Sequence, residues 1–259
     1  MPFDLPVTLL WEDGVFETLR SDRRQLIAID DHLDRLFESS RSLQLSLGLS
    51  RSEIRDRLRR ELTSKPYPNA TVRIAFLRDG RTSRFFVIVK EAKRYPSSFY
   101  EKGVSVRTAP TRRNALFAID GQMKVKEFLN GILSTLDGLS LEDSFEEIYL
   151  DSDGFITEGR ISNIFFMKGE ALFTPPPFLG VLKGITRGQV MAEAHRWHLA
   201  VQEEPFTRFN LYGADEIFLT NTSIGAIPVV SVDGRVVGEG KVGERTRKMI
   251  QALKRQKGR

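Results

Sequence analysis

The stretch Thr157-Glu158-Gly159-Arg160-Ile161-Ser162-Asn163-Ile164-Phe165-Phe166 constrains this chain more than any other. It plants one carboxylate and one asparagine between two apolar runs, which is not the pattern of a plain core strand. Leading into such a strand, Glu158 reads as buried or half-buried. A buried carboxylate is costly unless a cation or hydrogen-bond donors meet it. The chain must therefore supply Glu158 with a cationic partner, its own or a ligand's. Lys124, 34 residues upstream, is a candidate for the same site.

The 259 residues are enough for one large or two small domains with a sizeable core. With 41% hydrophobic and 28% charged residues, the composition is that of a globular protein rather than a disordered one. Cysteine is absent, which excludes disulfides, thiolate nucleophiles and Cys-ligated metal sites. No apolar run approaches the roughly 18 residues that span a bilayer, and residues 1–10 lack a basic segment and cleavage site. A cytoplasmic protein is the expectation. The net charge of +5 owes much to the tail Lys254-Arg255-Gln256-Lys257-Gly258-Arg259, which reads as a solvated helix end. No nucleic-acid-binding motif accompanies that charge.

Hydrophobic periodicity predicts a mixed α/β chain. Strand 15–19 pairs with 24–29. Asp30 or Asp31 caps a helix carrying Leu33, Leu36, Phe37 and Leu43, and Ser50 caps a second helix over 52–62. Segments 71–77 and 84–89 flank Asp79-Gly80, a hairpin turn signal, and 104–108 forms a further strand. The polar stretch 110–114 suggests a boundary, giving an N-terminal α/β domain over 1–109, a loop over 110–118 and a C-terminal domain over 119–259. That second half opens with a helix over 125–136. Strands are expected at 147–151, 155–157, 161–168, 171–174, 216–220 and 229–232. A helix opens at Gly184-Ile185-Thr186-Arg187 and runs to Trp197, and a last helix covers 241–255.

Several familiar chemistries are missing. His195 and His198 sit three apart, but no carboxylate completes a zinc-protease pattern. With three histidines and no Gly-x-Ser-x-Gly elbow, a serine triad has little to build on. Gly240-Lys241 continues into Val242 rather than Ser or Thr, which denies a P-loop. No metal site is expected. What remains is a helix start at Gly184-Ile185-Thr186, whose amides suit an anion, and a turn from Thr220 to Gly225 rich in hydroxyls and amides. Each also reads as ordinary capping. Arg35 reads locally as a partner for Asp31 or Glu38, and Lys124, with its rival Lys126, as an exposed lysine.

Taken in order, Gly14-Val15-Phe16-Glu17-Thr18, His32-Leu33-Asp34-Arg35-Leu36, Lys124 with Phe128-Leu129-Asn130, Glu158-Gly159 with Asn163, Gly184-Ile185-Thr186-Arg187 and Thr220 through Pro228 resemble the class IV aminotransferase family. So does the tail Gly240-Lys241-Val242-Gly243-Glu244, and the likeness covers nearly the whole chain. These are the fold-type IV pyridoxal-phosphate enzymes: branched-chain and D-amino-acid aminotransferases and 4-amino-4-deoxychorismate lyases. The resemblance implies an α/β (α+β) fold with a small N-terminal α/β domain, a larger C-terminal α/β domain with a barrel-like sheet, and pyridoxal 5′-phosphate bound between them. It implies a homodimer.

It also implies roles. Lys124 forms the Schiff base and moves the α proton; Glu158 pairs with the protonated pyridine nitrogen. Arg35, the amides of Ile185 and Thr186, and Asn221 with Thr222 hold the phosphate. The cofactor is the electron sink while the protein sets its protonation and orientation. Counting from Lys124, Leu129, Ile132 and Leu133 fall where family members carry apolar helix residues; counting from Lys126 misplaces them.

Two departures stand out. The tyrosine often found five residues after the lysine is replaced in the Phe128-Leu129 region, and Trp11-Glu12-Asp13-Gly14 replaces the usual aromatic-Gly-Asp-Gly opening. For the substrate, Phe16 and Thr18 carry the best clue. Branched-chain enzymes tend to have Gly and D-amino-acid enzymes Val at the Thr18 position, whereas the lyases resemble this chain. Arg112 and Arg113 suit a substrate carboxylate. The resemblance therefore leans toward aminodeoxychorismate lyase, releasing p-aminobenzoate and pyruvate. An aminotransferase of branched-chain or D-amino-acid type is the alternative, and a non-catalytic pyridoxal-phosphate-binding protein the second.

Overall fold

The computed structural model of the chain describes residues 14–113, 123–124 and 144–256. The expected helix over 125–136, with Lys126 and Phe128-Leu129-Asn130, lies outside the described residues. So do Trp11-Glu12-Asp13 and Asn114. The chain divides into two compact units, Met1–Lys93 with Met123–Phe128, and Arg94–Gln122 with Leu129–Arg259.

The first unit is a four-stranded antiparallel sheet, ordered β2-β1-β3-β4, with two helices. Its strands are β1 (Gly14–Asp22), β2 (Gln25–Leu26), β3 (Ala70–Asp79) and β4 (Thr82–Glu91). Strict alternation along β1 buries Val15, Glu17, Leu19 and Ser21 and leaves Phe16, Thr18 and Arg20 on the other face. The buried face packs on Leu33 and Leu36 of α1 (Ile29–Ser42) and Ile54, Leu58 and Leu62 of α2 (Arg51–Thr63). β3 and β4 close through Gly80-Arg81, with Asp79 opposite Thr82; Gly80 sits at φ +61°, where a side chain would be strained. Ser50 caps α2 in a full capping box with Glu53, as the sequence predicts.

Two local expectations change. α1 has no side-chain cap: it starts after Ala28, itself left-handed at φ 50°, and Asp30 and Asp31 lie inside the first turn. There they still oppose the positive helix end. β2 is only two residues long, because the chain turns into α1 at Ile29.

The second unit is a nine-stranded mixed sheet ordered β10-β9-β8-β11-β12-β5-β6-β7, with β13 paired to β12. Its strands are β5 (Val104–Arg112), β6 (Glu146–Leu150), β7 (Ile156–Gly159), β8 (Asn163–Lys168), β9 (Ala171–Thr174), β10 (Ala200–Glu203), β11 (Glu216–Asn221), β12 (Gly225–Val232) and β13 (Arg235–Val236). β5 pairs in parallel with both β12 and β6, so it belongs to this sheet and not to the first unit. The expected boundary after residue 109 therefore falls inside a strand. Its polar end, 110–112, continues the ladder after a register shift between Thr108 and Arg112, and Arg113 N donates to Leu150 O. β10, short and mostly exposed on the sheet edge, carries no periodic signal and is not legible in the sequence.

Alternation through β8 and β11 gives the sheet two apolar faces. Phe166, Ile164, Ile217 and Leu219 form one core. Phe165, Met167 and Phe218 pack on Val190 and Ala194 of α4 (Ile185–Arg196) and on Met249, Ile250 and Leu253 of α6 (Glu244–Gln256). Short helices α3 (Ser97–Glu101) and α5 (Arg208–Tyr212) complete the unit. Glu216 of β11 reaches the start of α6 and accepts from Arg245 N at 3.2 Å and Thr246 N at 2.7 Å. A side chain at Gly243 would overlap the Glu216 carboxylate. That carboxylate is pinned by two backbone donors and cannot simply step aside. Gly243→Ala is predicted to destabilise the fold by about 1–3 kcal/mol, as overpacking does, read as a lower midpoint in urea unfolding.

Candidate active site

In the second unit the chain meets Glu158 in three ways. Glu158 is the penultimate residue of the buried strand β7, with its side chain 9% exposed. Arg113 Nη1 lies 2.7 Å from Oε1. Oε2 accepts from Asn163 Nδ2 at 3.1 Å and from Leu182 N at 3.1 Å. Asn163 opens β8 and also donates to Leu182 O at 2.9 Å. Its Oδ1 packs so closely on Gly184 that a Cβ there would overlap it. Asn163 thus links the carboxylate to the start of α4, whose cap is Gly184 without any side-chain hydrogen bond. The first-turn amides of Ile185 and Thr186 therefore meet no capping side chain. Thr220, opposite Asn163 in the β11–β8 ladder, is fully buried, and among the described residues its hydroxyl has no partner. Asn221 Oδ1 accepts from Ser223 N and Ile224 N, so its side chain shapes the turn that carries Thr222.

Beneath Glu158 lies a second carboxyl that sequence reasoning missed. Glu146 Oε1 accepts from Ile161 N at 2.6 Å and Oε2 meets Ser162 Oγ at 2.9 Å. A side chain at Gly159 would strike both Glu146 and Ser162. Glycine is required after Glu158 because the Glu146 carboxyl and the Ser162 hydroxyl occupy the space a Cβ would need. Burial pushes the Glu146 carboxyl up to about 7, against the opposing pull of the Ile161 amide and the Ser162 hydroxyl.

In the first unit Lys124 N donates to Ser39 Oγ at 3.1 Å, and Lys124 O accepts from Phe16 N at 3.2 Å. The Lys124 ammonium lies 5.0 Å from the centroid of the Phe16 ring. Arg73 approaches the same ring, its guanidinium carbon at 4.5 Å. Arg73 is directly opposite Thr18 in the β1–β3 ladder, so Phe16, Thr18 and Arg73 share one sheet face. Burial lowers the Arg73 pKa, and among the described residues no carboxylate meets it.

The buried face of the same strand holds Glu17. Its Oε1 accepts from Arg35 Nε at 2.7 Å, and its Oε2 from Arg35 Nη2 at 2.8 Å and from His32 Nδ1 at 2.8 Å. Burial alone would raise the Glu17 carboxyl, but the Arg35 and His32 hydrogen bonds outweigh it and hold the group down to about 2. Arg35 is thus tied to Glu17, not to the nearby Asp31 or Glu38 of its own helix.

Of the two loop arginines expected at a substrate, Arg112 is exposed and donates to Ala109 O at 3.4 Å, and Arg113 is on Glu158. Arg73 and Glu17 carried a signal in the sequence. Each is a charged residue inside an alternating strand, and His32 and Arg35 are spaced to share a helix face.

The residues fit pyridoxal phosphate. The second unit offers a buried carboxylate, a helix start free of side-chain capping and an orphaned buried hydroxyl beside them; the first offers a lysine and an arginine. The fold is that of fold-type IV enzymes. The class IV amino-transferase family matches residues 14–232. A protein of Methanocaldococcus jannaschii, provisionally named a branched-chain-amino-acid aminotransferase, is 33% identical over 257 residues, covering 95% of this chain and 88% of that one. The crystal structure of the branched-chain amino acid aminotransferase of Escherichia coli superposes with a TM-score of 0.88 at 26% identity, over 97% of this chain and 88% of that one. A Legionella pneumophila protein provisionally named a 4-amino-4-deoxychorismate lyase reaches 0.84 at 20% identity, over 99% of this chain and 95% of that one, a likeness of fold alone. The chain belongs to the class IV aminotransferase family, whose members are pyridoxal-phosphate enzymes. No helix among the described residues is long and apolar enough to cross a membrane.

Glu146 makes a pH prediction. Its pKa is raised in the folded state, so between pH 4.5 and about 7 the native protein keeps a proton that the unfolded chain releases. Stability from this group therefore falls as pH rises through that window and levels off above it. Glu146→Gln should remove a slope worth about 3 kcal/mol from a plot of unfolding free energy against pH.

Proposed function

We propose that this chain is a pyridoxal-phosphate-dependent aminotransferase, moving an amino group between an amino acid and a 2-oxo acid. Arg73 carries the reading. A half-buried guanidinium with no carboxylate among the described residues bears a desolvation cost that an incoming carboxylate offsets, in a bidentate pair. It shares the Phe16 ring with the Lys124 ammonium. A substrate carboxylate on Arg73 would bring its amino-bearing carbon toward the lysine.

The bound cofactor supplies an electron sink for the carbanion formed when the α proton leaves. Lys124 would hold it and carry that proton. Glu158, held in a buried site by Arg113, Asn163 and Leu182 N, would pair with the ring nitrogen. Ile185, Thr186, Asn221 and Thr222, with Arg35 as the family resemblance implies, would hold the phosphate. Phe16 and Thr18 floor the substrate position. The named relative at 33% identity supports amino transfer. Action as a homodimer is part of the same proposal.

The lyase reading rests on Thr18, which stands beside Arg73 on the substrate face. It draws less from the loop arginines, since Arg113 already serves Glu158.

Incubation with a panel of L- and D-amino donors and 2-oxo acids, in parallel with 4-amino-4-deoxychorismate, separates the two. Amino exchange without p-aminobenzoate release supports the transferase; p-aminobenzoate release without exchange replaces it with the lyase. Arg73→Gln should raise KM for the carboxylate substrate by about tenfold to a hundredfold, the worth of a charged hydrogen bond. An unchanged KM would remove Arg73 from the site.

A further inference from the structure

We infer that Glu17 and His32 are positioning residues that aim Arg35 at the cofactor phosphate, an inference that rests on the reading of Arg35 as a phosphate anchor. Glu17 lies on the core face of β1, between Val15 and Leu19, where an apolar residue would satisfy the sheet. A buried ion pair is seldom needed for stability, since apolar replacements of similar volume are often neutral or better. Its cost is explained if one partner has a further task.

The contact geometry says which partner. Glu17 takes Arg35 side-on through Nε and Nη2, which fixes both the plane of the guanidinium and the edge it presents. The remaining donors of that planar group point away from Glu17. His32, one turn before Arg35 on α1, donates to the same Glu17 oxygen that Nη2 uses. With Glu17 ionised, His32 Nδ1 carries the proton, and the carboxylate is held against rotation. The hydrogen bonds to Glu17 keep it anionic well below neutral pH. An arginine locked in this way loses little further rotamer freedom when it meets an anion, so less of the binding free energy is lost to ordering it.

A role confined to folding would affect all ligands alike, whereas a positioning role acts through the phosphate. Apoenzyme prepared from the purified protein is titrated with pyridoxal phosphate and, separately, with pyridoxal, which lacks the phosphate. Binding is followed by visible absorbance and by the thermal shift. Glu17→Gln should weaken pyridoxal phosphate by about tenfold to a hundredfold and leave pyridoxal within about twofold. His32→Gln, the milder change, should weaken pyridoxal phosphate by roughly threefold with pyridoxal again unaffected, and it carries the test if Glu17→Gln does not fold. Equal losses for both ligands, or no loss for either, overturn the inference. Arg35→Gln is the separate control. If it fails to shift the ratio of the two affinities, Arg35 is not the phosphate anchor and the underlying reading falls. If it shifts the ratio while the Glu17 and His32 variants do not, only the positioning role is lost.

Discussion

A carboxylate taken out of water has to be met by fixed donors or a cation, and each unit is arranged around that requirement. In the first unit Glu17 interrupts the apolar face of β1 and is met by Arg35 and His32 of one helix. In the second, Glu158 is the penultimate residue of β7 and is met by Arg113, Asn163 and Leu182 N. Removing one partner from such a group costs far more than the pair contributes, because the charge left behind is buried and unpaired. These contacts therefore hold the surrounding turns and helix starts in one arrangement. The loop before α4 is tied to Glu158 through Asn163, and that fixes where the α4 amides begin.

The buried carboxyl of Glu146 differs from those of Glu17 and Glu158. Among the described residues no cation sits on the Glu146 oxygens; the group accepts from a backbone amide and faces a serine hydroxyl, and burial pushes it up to about 7. It shapes the turn between Glu158 and Asn163, and it does so as an acid that titrates close to physiological pH. One strand end thus presents a carboxylate with its charge compensated, and the turn after it rests on one whose charge is not.

Much of this was legible in the sequence, for reasons that can be traced to particular residues. Alternation in β1, β3 and β4, the Ser50 cap and the turn at Gly80 are local signals, and the elements form where they point. The demand that Glu158 find a partner was also legible. Its protein partner was not. Arg113 lies 45 residues upstream in sequence and reaches Glu158 only because β5 continues past its polar end and pairs with β6. The same long-range pairing moved the expected boundary, since composition at 110–112 reads as loop while hydrogen bonding makes it strand. Arg73 shows in the sequence as a charge inside an alternating strand, but its meaning depends on register: opposite Thr18, on the face with Phe16, it meets no carboxylate among the described residues.

The account stands most directly on Lys124 as the point of cofactor attachment. The purified protein, loaded with pyridoxal phosphate, reduced with borohydride and digested, can be sequenced by tandem mass spectrometry to find the residue carrying the phosphopyridoxyl mass. The account predicts that mass on Lys124. Finding it on Lys126, or on no lysine at all, would contradict it.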